Sequence, residues 1–558
     1  MRLLSIIILI ILICINKLFS QENYSPIEIP ILLSGTFGEF RKTHLHTGID
    51  IKTQGKEGLR VKAIKDGDLV RVKVSTSGYG KVLYIRHYDG TTSVYAHLKR
   101  FSPKIEKIIK EIQYDKKRFE IEKFFSVGEI EIKKLEIIGF SGNTGGSSGP
   151  HLHFELRKTK DEKPLNPLKY GVFVLDTIPP TIQSIYIYKF LREQKSKRKR
   201  IELIKNKNIY NVIDTIKTNG IFGVGYSGYD KQNSSYNRNG IYKRELIING
   251  EKKFSYSFDE LIFSDGKKID LLIDYEAFNI DKIRIKKMFQ TVEAKFSFLE
   301  KDFKSGLFKV LKDSIYDVEV RFEDFNKNMS IVKMILVGDS QEDDLYFPKS
   351  AFKDKQYQPN QEYNVKYELL NLKIPKNAFY EPTNLNFEYK LDTLMIEKFT
   401  KAPKKGLTLE FILPKNLDST SLRQICIGKL NFGGKNKIQY VLGKKNGSAI
   451  TAKTISGGKY FLTKDTKSPW VKPLNFKNGA WVKSLSKLKI RVGDNLSGIK
   501  KYTAYINGKW ILMEYEPKRK LLFFDFNDLE FNETKLKFNL IVEDIVGNVK
   551  EFEATVYR

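Results

Sequence analysis

Apolar and polar positions alternate along several parts of this chain, and a period of two marks β-strands with one buried face. The clearest case is His151-Leu152-His153-Phe154-Glu155-Leu156, with two imidazoles and a carboxylate on one face and three apolar side chains on the other. The β-prone runs 81–88 and 91–98 flank Asp89-Gly90, a strong hairpin signal, so His97 is expected at the end of a returning strand. Upstream, 43–51 reads as extended and puts His46 and Asp50 on one face. The stretch 103–125 departs from this pattern: Ile105, Ile108, Ile109 and Ile112 recur at helical spacing among Lys and Glu, as in an insertion. Past Leu175 come short β-prone runs separated by turns, among them 407–413 and 437–442. The start of the chain is different in kind. Arg2, the aliphatic run 3–15 and a cleavage position after Ser20 read as a signal peptide, 1–20. The run is shorter than the about 20 residues of a membrane span, so no stable transmembrane span is expected after cleavage.

A chain of 558 residues exceeds one hydrophobic core and predicts about three to five units. The expected fold class is mainly β: an N-terminal antiparallel β-sheet domain over 21–175, then two or three β-sandwich modules over 176–345, 346–464 and 465–558. Two of these repeat the same signals in the same order. Asp176-Thr177-Ile178-Pro179-Pro180 returns as Asp465-Thr466-Lys467-Ser468-Pro469, each followed by a Gly- or Asp-rich turn, at 225–228 and 494–498. Ile248-Asn249-Gly250 and Ile506-Asn507-Gly508 come next, then 323–328 and 543–548. These two modules resemble bacterial immunoglobulin-like domains. Asp and Asn in their turns either serve turn geometry or hold calcium.

Composition narrows the function classes. With 41% hydrophobic and 13% aromatic residues the chain is globular. Its net charge of +31 is spread along the whole length. That balance fits attraction to an anionic envelope polymer, and equally a Lys-rich composition set by an AT-rich genome. Export, with no zinc-finger, helix-turn-helix or RNA-binding signature, argues against nucleic acid as partner. Of the cysteines Cys14 and Cys426, only the second survives signal removal, which leaves no intramolecular disulfide.

All six histidines fall between positions 44 and 153. The segments 43–51, 91–98 and 149–156 thus supply candidates for one constellation. A catalytic zinc ion takes three protein ligands, two His and one carboxylate being a known set, which His46, Asp50 and His153 would fill. His44 and His87 fall outside that set: His44 can support a ligand from behind, and His87, beside the hairpin turn, is expected to be exposed. Arg41 reads as a contact for a substrate carboxylate or as an ordinary solvated arginine.

At these residues the chain resembles the lysostaphin-type, or LytM-like, zinc endopeptidases of peptidoglycan. The family's His-x-x-x-Asp is matched by His46 to Asp50 and its His-x-His by His151 to His153. Its Tyr-x-His-Leu is matched by 95–98 and its Gly-rich approach by 139–150. The resemblance covers about 33–170 and implies one Zn2+ per chain on His46, Asp50 and His153. It also implies His97 and His151 as the catalytic histidines, His151 being favoured as base and His97 as oxyanion partner. The implied activity is a zinc metalloendopeptidase cutting peptide stems or cross-links of peptidoglycan, in the periplasm or envelope of a Gram-negative cell. A catalytically silent murein-binding regulator that activates another hydrolase is the alternative. The C-terminal modules are expected to bind an envelope protein or polymer, or to act as spacers.

Overall fold

The strand expected around His151 lies inside the principal sheet of the N-terminal region, flanked on both sides. The computed structural model describes residues 24–190, 196–300, 305–339, 356–434 and 437–558; the expected signal peptide lies outside the described residues. The chain is mainly β. The first sheet runs in the spatial order Leu33–Gly35, Ile49–Lys52, His151–Lys158, Thr91–Leu98, Lys81–His87, Gly67–Val74, Ile121–Phe124, all antiparallel. Leu152, Phe154 and Leu156 are buried with Ile49, Ile51, Leu83, Ile85 and Tyr95, so the alternation in sequence is the division between core and site. Asp89-Gly90 closes the hairpin between Lys81–His87 and Thr91–Leu98, with Gly90 at φ 80°.

The insertion forms the helix Pro103–Asp115, which buries Ile105 and Ile109. Its outer side meets the C-terminal module. Lys110 pairs with Asp528, Tyr114 packs edge-on against Trp510, and Lys81, which also faces Glu106 of this helix, pairs with Glu514 at 2.9 Å. The segment is therefore a docking platform between distant parts of the chain.

Downstream, pairs of sheets face each other across apolar cores. Strands Thr181–Phe190 and Gly220–Tyr229 lie in one sheet, Lys243–Ile248, Ile315–Glu323 and Met329–Gly338 in the other. Ile187, Phe222 and Val224 from the first and Leu246, Val320 and Val332 from the second join one hydrophobic cluster. That cluster is continuous from Ile27 to Leu336, so the first sheet and this sandwich share a core. A second sandwich holds Leu407–Ile412 and Gln439–Val441 in its two sheets, a third Lys487–Gly493 and Lys535–Asp544, each with its own core. One expectation is corrected. Residues 225–228 are not a turn but lie inside the strand Gly220–Tyr229, because Val224 and Tyr226 alternate into the core while Gly225 gives room to Tyr188 and Ile285.

Candidate metal centre and active site

Strand register brings the polar faces together. His153 stands opposite Asp50 on one neighbouring strand and Ala96 on the other, next to His97. Directly opposed Cβ atoms lie roughly 5 Å apart, which lets short side chains meet. His46 comes back to the same point through a turn in which its N–H donates to Glu39 O at 2.9 Å and its carbonyl accepts from Gly38 N at 2.8 Å. His46 Nε2, Asp50 Oδ1 and His153 Nδ1 then form a triangle with edges of 3.0, 2.9 and 3.1 Å. All three residues are buried.

The outer nitrogens fix what these groups present inward. His46 Nδ1 lies 2.8 Å from Thr36 O, and a carbonyl only accepts, so Nδ1 carries the hydrogen and Nε2 faces inward bare. His153 Nε2 donates in the same way to Glu155 Oε1 at 2.8 Å, leaving Nδ1 inward. Asp50 Oδ2 accepts from Arg41 Nη2 at 2.8 Å, which turns Oδ1 to the imidazoles. Gly35 makes room for this pair: a Cβ there would sit 2.1 Å from Arg41 Nη2 and 2.6 Å from Asp50 Oδ2. Three lone pairs about 3 Å apart repel unless a cation or proton lies between them. A zinc tetrahedron with bonds near 2.05 Å has donor separations of about 3.3 Å, so the donor set fits a divalent zinc-sized ion.

Burial works against the Asp50 charge, but the three surrounding imidazoles hold its carboxyl well below the ordinary range. Burial also disfavours a charged His153, yet Asp50 and Glu155 together push it up to about 9. A metal ion bound there would displace the proton that Asp50 and Glu155 favour on His153. Glu155 is completely enclosed; against that burial, Arg157 and then His153 keep it ionised.

Two further imidazoles border the triangle. His151 Nε2 is 3.4 Å from Asp50 Oδ1, and its Nδ1–H is held by Gly149 O at 2.8 Å, with Ser147 Oγ at 3.1 Å. The His97 ring lies 4.8 Å from that of His151 and 5.8 Å from that of His153, and its Nδ1–H is held by Thr144 O at 2.8 Å. His97 sits at φ 59° where the hairpin register slips. A non-glycine residue there stores about 1–3 kcal/mol of strain, as functional residues often do. Burial, then the imidazoles of His153 and His151, keep His97 neutral down to about 3. The Gly-rich loop is thereby explained: it places the carbonyls that orient His97 and His151.

The structure therefore brings together all five residues singled out in the sequence. His44 does not join them; it is exposed, with Nδ1 on Thr43. His87 is corrected from exposed to buried, its ring bridging Asp66 O at 2.8 Å and Ser93 Oγ at 2.7 Å, because strand Lys81–His87 is covered on both faces. Sequence reasoning did not find the support for the ligands. Glu155 Oε1 also accepts from Thr47 Oγ1 at 2.6 Å and Tyr79 Oη at 2.5 Å, and Glu155 Oε2 accepts from Arg157 Nε at 2.7 Å. The alternation that exposes His151 and His153 continues through Glu155 and Arg157, and that was the available signal.

Residues 44–114 match peptidase family M23; the match ends within the insertion helix, and His151 and His153 lie beyond it. The chain is 36% identical over 128 residues to the DD-carboxypeptidase/endopeptidase Mpg of Neisseria meningitidis, a match covering 23% of each protein. It is 32% identical over 123 residues to the murein hydrolase activator NlpD of Salmonella dublin, covering 22% of this chain and 25% of that one. The chain thus spans about a quarter of the length of these curated relatives. Among solved structures, the catalytic domain of the prophage-encoded M23 protein EnpA from Enterococcus faecalis aligns at 25% identity and a TM-score of 0.20, covering 26% of this chain and 98% of that one. Part of the N-terminal region of this chain is thus similar to peptidase family M23 over residues 44–114, within a stretch of 128 residues similar to the Neisseria protein.

Proposed function

We propose that the protein is an exported zinc-dependent endopeptidase that hydrolyses peptide stems or cross-links of cell-wall peptidoglycan. The observation that carries this reading is the set of inward lone pairs on His46, Asp50 and His153 with two more oriented imidazoles, His97 and His151, beside it. When bound to that triangle, zinc supplies Lewis-acid polarisation of the scissile carbonyl and acidifies water. His151, with its Nδ1–H anchored and Nε2 bare, accepts the proton of the attacking water. The imidazolium so formed then has a proton to return to the leaving amine. His97 reaches the developing oxyanion with a hydrogen on Nε2, which requires it to release Thr144 O, since burial and the neighbouring imidazoles keep it neutral. The divisions at 175, 345 and 464 are part of the same proposal, with 176–345 and 465–558 as immunoglobulin-like modules that bind an envelope polymer or protein, or hold the peptidase at a distance from it.

The similarity to an activator of murein hydrolases favours one other reading, a murein-binding regulator without chemistry of its own. Release of soluble peptides from purified peptidoglycan separates the two. Release that is lost in His153→Ala, and after chelation returns with zinc, supports the enzyme. Absence of release with zinc bound to the wild-type chain would refute it in favour of the regulator.

A further inference from the structure

The two related modules each begin at a second kind of charged cluster, far from the imidazoles. Asp176, Asp230 and Asp324 offer carboxylate oxygens within 4.8 Å of one another, and so do Asp465, Asp494 and Asp544. The two sets correspond residue for residue. Asp176 and Asp465 each stand five residues before the strand residues Thr181 and Trp470, whose cross-strand partners Tyr229 and Gly493 directly precede Asp230 and Asp494. Asp324 and Asp544 each open a tight turn, their N–H groups donating to Asn328 O and Asn548 O at 3.1 Å. Asn328 Nδ2 then donates to Asp324 Oδ2 and to Asp176 O, at 2.7 and 3.1 Å. Asn548 Nδ2 makes the same two bonds, at 2.8 Å to Asp544 Oδ2 and 2.9 Å to Asp465 O.

Turn formation accounts for only part of this. Asp230 is 6% exposed and its Oδ1 has no hydrogen-bond partner, and Asp465 is 0% exposed with its Oδ1 likewise bare. Neutral oxygens are left over at the same places. Asn239 Oδ1 is buried without a partner and its residue lines one cavity with Asp176, Asp230 and Asp324. Ser497 Oγ is buried without a partner in the residue whose N–H binds Asp465 Oδ2 at 2.9 Å. Buried like charges at this spacing require either protons or a cation, and burial followed by the Asp324 and Asp176 charges pushes Asp230 up to about 9. Unpaired buried oxygens carry a cost that a coordinated ion removes.

We propose that each cluster is a calcium site, one at the head of each module, built on Asp176, Asp230 and Asp324 and on Asp465, Asp494 and Asp544. The donors are oxygens alone, and three carboxylates with neutral oxygens beside them suit a hard cation taking six to eight ligands. Imidazole and thiolate, which select zinc, are absent from both sets. Each ion ties a module to what precedes it. The segment after Asp230 holds the peptidase region: Gln232 accepts from Leu33 N at 2.8 Å, and Gly240 N donates at 2.9 Å to the hydroxyl of Thr36. The carbonyl of that same Thr36 orients His46. At the second cluster, Gln424 donates to Asn548 Oδ1 at 2.8 Å, and Arg423 donates to Gly547 O at 2.7 Å.

The test is calcium retained by the full chain after dialysis at free calcium on the order of 1 mM, the range of extracellular sites, measured by elemental mass spectrometry beside zinc. Two calcium ions per chain are expected, one lost in Asp230→Asn and the other in Asp494→Asn. No retained calcium in the wild type, or retention that neither variant alters, overturns the proposal; a loss in one variant alone overturns the other site. Thermal unfolding keeps the question open to refutation should a variant retain less protein. Calcium should raise the unfolding temperature of the wild type, and the double variant in chelator should be at least as stable as chelated wild type because repulsion is gone. Calcium-insensitive wild type with destabilised variants would mean turn formation alone and would overturn the sites.

Discussion

Glu155→Gln tests whether the metal triangle depends on what stands behind it. Every partner of the Glu155 carboxylate is a donor: His153 Nε2, Thr47 and Tyr79 on Oε1, Arg157 on Oε2. An amide must therefore direct its NH2 at one of them. Turned to Arg157, it leaves a guanidinium that is 6% exposed with the outer carboxylate of Glu162 at 2.9 Å as its remaining anion and Tyr79 Oη at 3.5 Å. Breaking a buried ion pair from one side costs about 3–5 kcal/mol. Turned to His153, it forces the imidazole hydrogen onto Nδ1 and removes the lone pair from the triangle. Loss of such an orienting partner lowers metal affinity about 10- to 100-fold, or about 1.4–2.8 kcal/mol. The assay is zinc competition with a chromogenic chelator, alongside chemical unfolding of the zinc-free chain. Tyr79→Phe is the graded control, removing one donor of several for about 0.5–1.5 kcal/mol. Zinc affinity within about twofold of wild type together with an unchanged unfolding free energy in Glu155→Gln would refute the dependence of the triangle on Glu155, because either orientation of the amide must lose one of the two.

Gly35→Ala should act on the other ligand: its Cβ occupies the place of the Arg41–Asp50 contact, so zinc affinity should fall by roughly tenfold with little change in unfolding. Glu514→Gln should cost up to about 3–5 kcal/mol by leaving buried Lys81 only the more distant Glu106 at 3.8 Å, read in the unfolding of the C-terminal module. Burial opposes the Glu514 charge but Lys81 holds its pKa below 4.5, so the pair's stabilisation is complete above that value and lost as pH falls through the lowered one; the variant's unfolding should lack that acid limb. Burial lowers the pKa of His87 below 6.5, so the unfolded chain takes up the proton first and stability should decline as pH drops below about 6.5. His87→Gln should flatten unfolding free energy across that window, and an unchanged slope would remove His87 from the account.

The sequence made the site more legible than the modules, for a reason of chemistry. Six histidines confined to one region, alternating with apolar residues, leave few arrangements, and His46, Asp50, His97, His151 and His153 do converge. His87 failed because exposure was inferred from a neighbouring turn, whereas burial follows from sheet neighbours, which are set by pairing at long range. The turn expected at 225–228 failed for a related cause: glycines that signal a turn locally here admit Tyr188 and Ile285 against the strand. In the insertion, helical spacing of isoleucines was readable, but its contact with Asp528 and Trp510 joins residues some four hundred positions apart.

Strand His151–Lys158 carries the logic of the site in its period of two. Its outward positions in order are His151, His153, Glu155 and Arg157, and side-chain exposure falls from 15% to 6% and then 0% before Arg157 at 6%. A bare imidazole at the edge is followed by one bound to the triangle, then by the carboxylate that fixes its tautomer, then by the cation that keeps the carboxylate charged. Each group stands one pleat further along the strand than the group it serves, so a single strand supplies His151, the ligand His153 and the support of that ligand, while the Gly-rich loop orients His151. A shift of register by one residue would turn all four to the core and Leu152, Phe154 and Leu156 to the site. The hydrophobic pattern that holds Phe154 between Ile49 and Tyr95 is thus the same constraint that keeps His153 between Asp50 and Ala96.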